Sequence, residues 1–270
     1  MSRTIKCIVV KIGSGVIEAH KRSPDGSDLS SLVREMSHLH NNGIEIIIVS
    51  SGAIVLGMNE LKLETRPSDL ASLQACAAVG QNVLMRTYSN LFEKHDGIKC
   101  AQILLTWGDL HDSVRLKNAH HTLKAILKNK VIPIINENDT IATEEIKFGD
   151  NDKLSAMVAE LSHANRLTIL SSGVEGFYND KKEVIPEIKK ITEQIQGFAA
   201  DTTNKNVSKG GMITKLEAVK IATSSNIPCV IAGSGTANVL THVVQGLPVG
   251  TYFASVPAGT YPEVKVNNES

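Results

Sequence analysis

Six apolar runs of strand length recur along the chain, at Ile5 to Val10, Ile44 to Val49, Ala101 to Leu105, Val131 to Ile135, Leu167 to Leu170 and Pro228 to Ala232. Most are separated by stretches with helical spacing, such as Leu29, Leu32, Val33, Met36 and Leu39 behind a capping Asp28 or Ser30. Strands that are apolar on both faces must be covered on both faces. This rhythm predicts an α/β fold with a mostly parallel sheet between two helix layers, joined by right-handed crossovers. Open sheets of this kind bind ligands at the carboxyl ends of their strands, so the residues that follow each run carry the functional information.

Composition narrows what those ligands are. The 270 residues are 42% hydrophobic, enough for one sizeable α/β domain. Charge is balanced at 28 basic and 28 acidic residues, which leaves no global field for nucleic acid or an anionic membrane and points to small molecules or copies of the chain itself. Cys7, Cys76, Cys100 and Cys229 lie far apart with no Cys-x-x-Cys pair, as expected of buried thiols in a reducing compartment rather than a zinc site or disulfide framework. Lys6 and Lys11 interrupt the N-terminal apolar region before a signal peptide forms, and no apolar stretch approaches membrane-spanning length. A cytoplasmic protein is expected. The nine histidines are scattered, with His120 and His121 adjacent on an expected helix, and Ser51 lacks a Gly-x-Ser-x-Gly context. A histidine metal centre and a serine hydrolase are therefore both disfavoured.

Three strand or loop ends are rich in glycine and small residues. The first run ends in Lys11-Ile12-Gly13-Ser14-Gly15, where glycines let backbone N–H groups approach a phosphate and the lysine adds charge; a tight turn with a solvated lysine fits as well. Neither a Walker loop nor a dinucleotide fingerprint is present at this turn. After the second run, Ser50-Ser51-Gly52-Ala53 opens an expected helix, suited either to an anion at the helix N-terminus or to simple capping by a serine. The third segment, Ser208-Lys209-Gly210-Gly211-Met212-Ile213-Thr214-Lys215, runs into a helix with Leu216, Val219 and Ala222 inward. Lys215 falls in its first turn, where the dipole disfavours a cation and a ligand phosphate would explain one.

The fourth run empties into the densest polar set in the chain. Asn136, Glu137, Asn138 and Asp139 leave the strand, and Asp150, Asn151 and Asp152 open a helix, with a charged, half-alternating run at Thr143 to Phe148 between them that is expected to form a small rim hairpin. Aspartates at helix starts are common caps. Seven carboxylates and amides around one excursion are also suited to an ammonium, a Mg²⁺ ion or the orientation of lysines.

Together these segments resemble the glutamate 5-kinases of the amino-acid kinase family. The likeness is carried by Val-Val-Lys11-Ile-Gly-Ser-Gly, Val-Ser-Ser51-Gly-Ala-Ile, Ala-Ala-Val-Gly80-Gln81, Ile-Leu-Leu-Thr106, Ile-Ile-Asn136-Glu-Asn-Asp139-Thr, Phe-Gly-Asp150-Asn151-Asp152 and Gly-Gly-Met212-Ile-Thr-Lys215-Leu-Glu-Ala. It implies a three-layer αβα sandwich that transfers the γ-phosphoryl group of ATP, with Mg²⁺, to the side-chain carboxylate of L-glutamate, the first step of proline synthesis. Under the resemblance Lys11 and Lys215 neutralise the transferring group and Asp152 holds them. Ser51, Gly52, Ala53, Asn136, Asp139, Asp150 and Asn151 are implied at the glutamate, with either Asp139 or Asp150 taking its ammonium. Lys11, Gly13, Ser14, Ser171, Ser172, Lys209, Gly210, Gly211, Met212, Ile213, Thr214 and Lys215 are implied at ATP. No dedicated protein metal site is expected, since Mg²⁺ would arrive with ATP.

The resemblance further implies a homo-oligomer, proline as feedback inhibitor and glutamyl phosphate reductase as a possible partner. It places the kinase domain at residues 1–256 and a flexible tail at 257–270, with no room for the C-terminal PUA domain of many relatives. This chain departs from the pattern at Ser171-Ser172, where Thr-Asp is usual, at Ser208-Lys209, where Gly-Thr is usual, and at Trp107, where arginine is usual. Two of these lie on the nucleotide side. They motivate the alternatives of a catalytically weak amino-acid sensor or regulatory subunit, or a kinase of the same fold acting on acetylglutamate, aspartate, carbamate or UMP.

Overall fold

The computed structural model describes residues 5–22, 28–141, 151–201 and 211–255. The expected hairpin at 143–148, Asp150, Ser208, Lys209, Gly210 and the tail from 257 lie outside them.

All six apolar runs form strands: β1 (Cys7–Ile12), β2 (Glu45–Ser50), β3 (Cys100–Leu105), β4 (Ile132–Glu137), β5 (Arg166–Ser171) and β7 (Cys229–Gly233). Two short strands, β6 (Glu187–Ile188) and β8 (Thr251–Phe253), complete an eight-stranded sheet of order β3-β4-β2-β1-β5-β7-β8-β6. These two were not legible, because two or three residues are too few to establish an alternating pattern. All pairings are parallel except β7 with β8.

Alternate strand residues face opposite layers. On one face Ile8, Val10, Ile12, Ile46 and Ile48 pack with α1 (Ser14–Arg22), α2 (Asp28–Asn41), α3 (Ala53–Glu60), α4 (Leu70–Lys94) and α10 (Val239–Gln245). On the other, Cys7, Val9, Ile47, Val49 and Ile169 pack with α5 (Trp107–His111), α6 (Ser113–Lys128), α7 (Asn151–Ser162), α8 (Glu193–Asp201) and α9 (Met212–Ser224). The result is the expected αβα sandwich. Strand β1 lies between β2 and β5, and the chain winds away from it in both directions, so a crevice opens at its carboxyl end.

One capping expectation is corrected. Asp28 is the first residue of α2, and its carboxylate accepts a hydrogen bond from the Ser234 hydroxyl at 2.6 Å, tying α2 to the loop after β7.

Candidate active site

A cleft at the crevice is lined by the ends of β1, β2, β4 and β5 and by the starts of α1, α3, α7 and α9, with Lys11, Ser51, Asp139, Asn151, Ser171 and Lys215 among its wall residues. Its architecture begins with the close approach of two helices. A Cβ on Gly80 of α4 would lie 1.7 Å from the backbone oxygen of Ala53 in α3, and one on Gly57 of α3 would lie 1.8 Å from the backbone oxygen of Cys76. Only glycines at these positions let α3 and α4 cross with their backbones in contact. The crossing brings Gln81 of α4 to the end of β4.

The helix α3 itself starts differently from the serine-capped reading. Its N-cap is Gly52, at φ 111°, a left-handed conformation that favours glycine, and no side chain caps it. Ser50 instead shares a 2.9 Å hydrogen bond with the buried Tyr88 hydroxyl of α4, and Ser51 Oγ accepts from Asn151 Nδ2 at 2.9 Å. The serines are thus used by tertiary contacts and the first N–H groups of α3 are left at the cleft.

Amides knit one half of the cleft together. Asn136 Nδ2 donates to Gln81 Oε1 at 2.9 Å, and Asn136 Oδ1 accepts from Asn151 Nδ2 at 2.8 Å and from the Glu137 backbone N–H at 2.9 Å. Asn151 Oδ1 is buried and has no hydrogen-bond partner among the described residues. Buried acceptors without partners are rare, and this one sits on a residue that lines the cleft. Asp139 lines the same cleft, 8% exposed in the 3-10 turn Asp139–Ile141. Burial pushes its carboxyl up to about 7, the neighbouring Glu137 carboxylate adds to the rise, and the Arg66 guanidinium opposes it.

The other half is built around Asp152. Lys11 projects from β1, 6% exposed, toward the layer of α7 and α9, and its Nζ lies 2.6 Å from Asp152 Oδ1. Lys215, in the first turn of α9 and 5% exposed, reaches Asp152 Oδ2 at 3.4 Å. The Thr214 hydroxyl lies 2.9 Å from the same oxygen and 2.9 Å from the Gly211 carbonyl. Burial at 2% exposure drives the Asp152 carboxyl up, but Lys11, Lys215 and the Thr214 hydroxyl together outweigh it, and the carboxyl lies below its usual range. Neither lysine is a solvated surface charge, and Asp152 is not a cap. Among the described residues, one carboxylate flanked by two ammonium groups leaves an excess of positive charge here.

Gly13 and Ser14 after β1 and Ser171 and Ser172 after β5 line the same cleft beside the lysines. Ser51, Gly52, Ala53, Asn136, Asp139 and Asn151 are all brought to it, while Asp150, Lys209 and Gly210 lie outside the described residues. Met212, Ile213 and Thr214 form the first turn of α9, with Gly211 as its N-cap. Trp107 is placed apart from these, opening α5 behind a capping box made by Thr106 and Asp109.

A family model described as "Amino acid kinase family" matches residues 6–233. The chain belongs to the amino-acid kinase family. Among curated relatives, the glutamate 5-kinase of Clostridium tetani (strain Massachusetts / E88) is 43% identical over 260 residues, covering 94% of this chain and 96% of that protein. The glutamate 5-kinase of Carboxydothermus hydrogenoformans is 44% identical over 258 residues, covering 93% of this chain and 68% of that protein. The fold is shared more widely. Carbamate kinase from Giardia lamblia bound to AMP-PNP superimposes with a TM-score of 0.63 at 17% identity, over 93% of this chain and 99% of that one. UMP kinase from Bacillus anthracis gives 0.57 at 14% identity, over 94% and 97%.

One charged residue at the cleft escaped sequence reasoning. Arg66 lines it from the loop between α3 and α4. That loop is polar and without periodicity, and an arginine in such a stretch carries no signature beyond the Pro67 that follows it.

Proposed function

We propose that this chain transfers the γ-phosphoryl group of ATP to the side-chain carboxylate of L-glutamate, giving L-glutamyl 5-phosphate. The observation that carries the reading is the Lys11–Asp152–Lys215 triad at a cleft that is also lined by Asp139 and by Asn151, whose Oδ1 has no partner among the described residues. The relatives' printed names agree with it.

A glutamate side chain, with a pKa of about 4.3, is ionised at neutral pH. It is already a nucleophile, so no general base is required, and the absence of histidine from the described wall of the cleft is consistent with that. The barrier to be lowered is repulsion between an anionic attacker and an anionic triphosphate. Lys11 and Lys215 face the transferring group from β1 and α9, Asp152 fixes both ammonium groups, and the N–H groups of the Gly13–Ser14 turn approach the phosphate oxygens. Fixed charges of this kind, positioned before the reaction, carry most of the catalysis in phosphoryl transfer. At the acceptor end Asp139 and Asn151 Oδ1 take the α-ammonium, and Ser51 with the N–H groups at the start of α3 directs the side-chain carboxylate toward the lysines.

Mg²⁺ fits this site as a companion of ATP. Asp152, the buried carboxylate beside the lysines, is committed to two ammonium groups, so Mg²⁺ would be held chiefly through the triphosphate it arrives with. When bound, the ion supplies further neutralisation of the triphosphate. The resemblance assigns Lys209 and Gly210 to the nucleotide, Lys209 as a departure from the usual motif. The resemblance also supports a cytoplasmic homo-oligomer in which proline competes at the acceptor end and a glutamyl phosphate reductase takes the product. No helix among the described residues is long and apolar enough to cross a membrane.

Incubation with ATP, Mg²⁺, glutamate and hydroxylamine is expected to yield γ-glutamyl hydroxamate. Product with acetylglutamate, aspartate, carbamate or UMP in place of glutamate, and none with glutamate, would reject the assignment.

A further inference from the structure

We infer that Arg66 is a specificity-determining residue of this kinase, the guanidinium that receives the α-carboxylate of the amino-acid acceptor. The inference rests on the acceptor reading above and assigns a part of the substrate that reading leaves without a cationic partner.

An α-amino acid presents an ammonium and a carboxylate on one carbon, and a site that recognises the pair needs opposite charges side by side. The described wall of the cleft holds three cationic side chains, Lys11, Lys215 and Arg66. The two lysines are bound to Asp152, at the phosphoryl end. Arg66 is the cation that remains for the acceptor end. It stands on the loop between α3 and α4, lines the same cleft as Asp139, and acts on the Asp139 carboxyl electrostatically. Among the described residues Arg66 makes no ion pair, and it is exposed, so its fork of N–H donors is available. A guanidinium matches a carboxylate in two parallel hydrogen bonds, which adds geometric selection to charge.

Arg66 and Asp139 form a complementary couple. With no substrate, Arg66 offsets the crowding of Asp139 by Glu137; with substrate, each takes the opposite charge of the head group. The arrangement predicts discrimination between glutamate and isoglutamine, in which the α-carboxylate is a carboxamide and the γ-carboxylate is intact. Loss of a charge-assisted contact at a partly solvated site corresponds to roughly tenfold to hundredfold in affinity.

The test measures ADP release by the full chain with glutamate and with isoglutamine, for wild type, Arg66→Met and Arg66→Lys. Because Arg66 is an exposed loop residue, both variants are expected to fold, as thermal unfolding would verify. For Arg66→Met the expected result is a KM for glutamate raised on the order of tenfold to hundredfold, with kcat and the KM for ATP within threefold and isoglutamine kinetics unchanged. Arg66→Lys should recover part of the loss. Equal losses on the two substrates, or none on either, would overturn the role of Arg66 while leaving the kinase reading intact. A wild-type protein that turns over neither substrate would overturn the kinase reading and this inference together.

Discussion

Lys11 and Lys215 grip opposite oxygens of Asp152, at 2.6 and 3.4 Å, although the three residues come from β1, α9 and α7. One carboxylate therefore sets the spacing of two cations that would otherwise repel each other in a buried place. Lys153 and Glu217, within two residues of Asp152 and Lys215 in sequence, pair at 2.7 Å and join the same two helices nearer the surface.

Replacing Asp152 with Asn removes the charge and retains most of the volume. Two buried ammonium groups would then lose the counter-charge they share, and removing one partner of a buried ion pair costs about 3–5 kcal/mol. We expect Asp152→Asn to lower kcat by at least about a hundredfold and to shift urea unfolding by an amount in that range, unless a phosphate or sulfate ion in the buffer substitutes for the carboxylate. Unfolding in sulfate-free buffer measures the stability term. A variant as stable and as active as wild type would show that the lysines do not depend on Asp152. The pH dependence has a defined sign. Because the folded carboxyl is held below its unfolded value, its stabilisation is complete above the usual carboxylate range and is lost progressively as pH falls from there through the depressed folded value.

Asp139 behaves in the opposite sense. With a folded value of about 7 it is largely protonated at pH 6, and only the ionised form attracts an ammonium. The KM for glutamate should fall as pH rises from 6 to 8 while the KM for ATP stays level. A group whose folded value is raised loses stability as pH climbs from its unfolded value to its folded one. Asp139→Asn should therefore become progressively more stable than wild type between about pH 4 and pH 7, then hold a constant margin, while its glutamate KM rises and loses its slope. Differential thermal unfolding across that range checks the sign, and a margin that shrinks with pH would contradict it.

These residues differ in how openly the sequence declared them. The six long strands were readable because each is a run of β-branched and other apolar residues buried on both faces, and that pattern has few other folds available to it. Lys11, Asp139, Asn151, Asp152 and Lys215 were readable through the family motifs in which they stand, since each taken alone also allowed a structural use as a cap or a solvated charge. What stayed hidden depends on three-dimensional neighbours. That Ser50 would bond Tyr88 rather than cap α3 follows from where α4 passes, and Arg66 acquires meaning only because its loop reaches the cleft that Asp139 also lines.

Gly80 is a sharper case of the same dependence. A methyl there meets the Ala53 carbonyl at 1.7 Å, and backbone cannot rotate away as a side chain would. Gly80→Ala must separate α3 from α4, and overpacking of this kind costs typically about 1–3 kcal/mol. Since the start of α3 and Gln81 both serve the acceptor end, the expected kinetic signature is a raised KM for glutamate with the KM for ATP preserved. Steady-state kinetics beside chemical unfolding would check both parts. Unfolding unchanged from wild type would mean that the two helices have room to separate at no cost.

Thr214 allows the two ends of the cleft to be separated experimentally. Its single hydroxyl proton has two acceptors at the same 2.9 Å, Asp152 Oδ2 and the Gly211 carbonyl, so it holds the first turn of α9 against the carboxylate that Lys215 also contacts. Thr214→Val keeps the shape and deletes the donor, at a stability cost of about 1 kcal/mol for one net hydrogen bond. Asp152 then loses one of the groups that hold it ionised, and Lys215 loses part of the support for its position. The expected outcome is a kcat reduced on the order of tenfold with an unchanged glutamate KM, and recovery in Thr214→Ser, which restores the donor without the methyl. If serine failed to restore turnover where valine had lost it, the methyl packing of Thr214, rather than its hydroxyl, would be what positions Lys215.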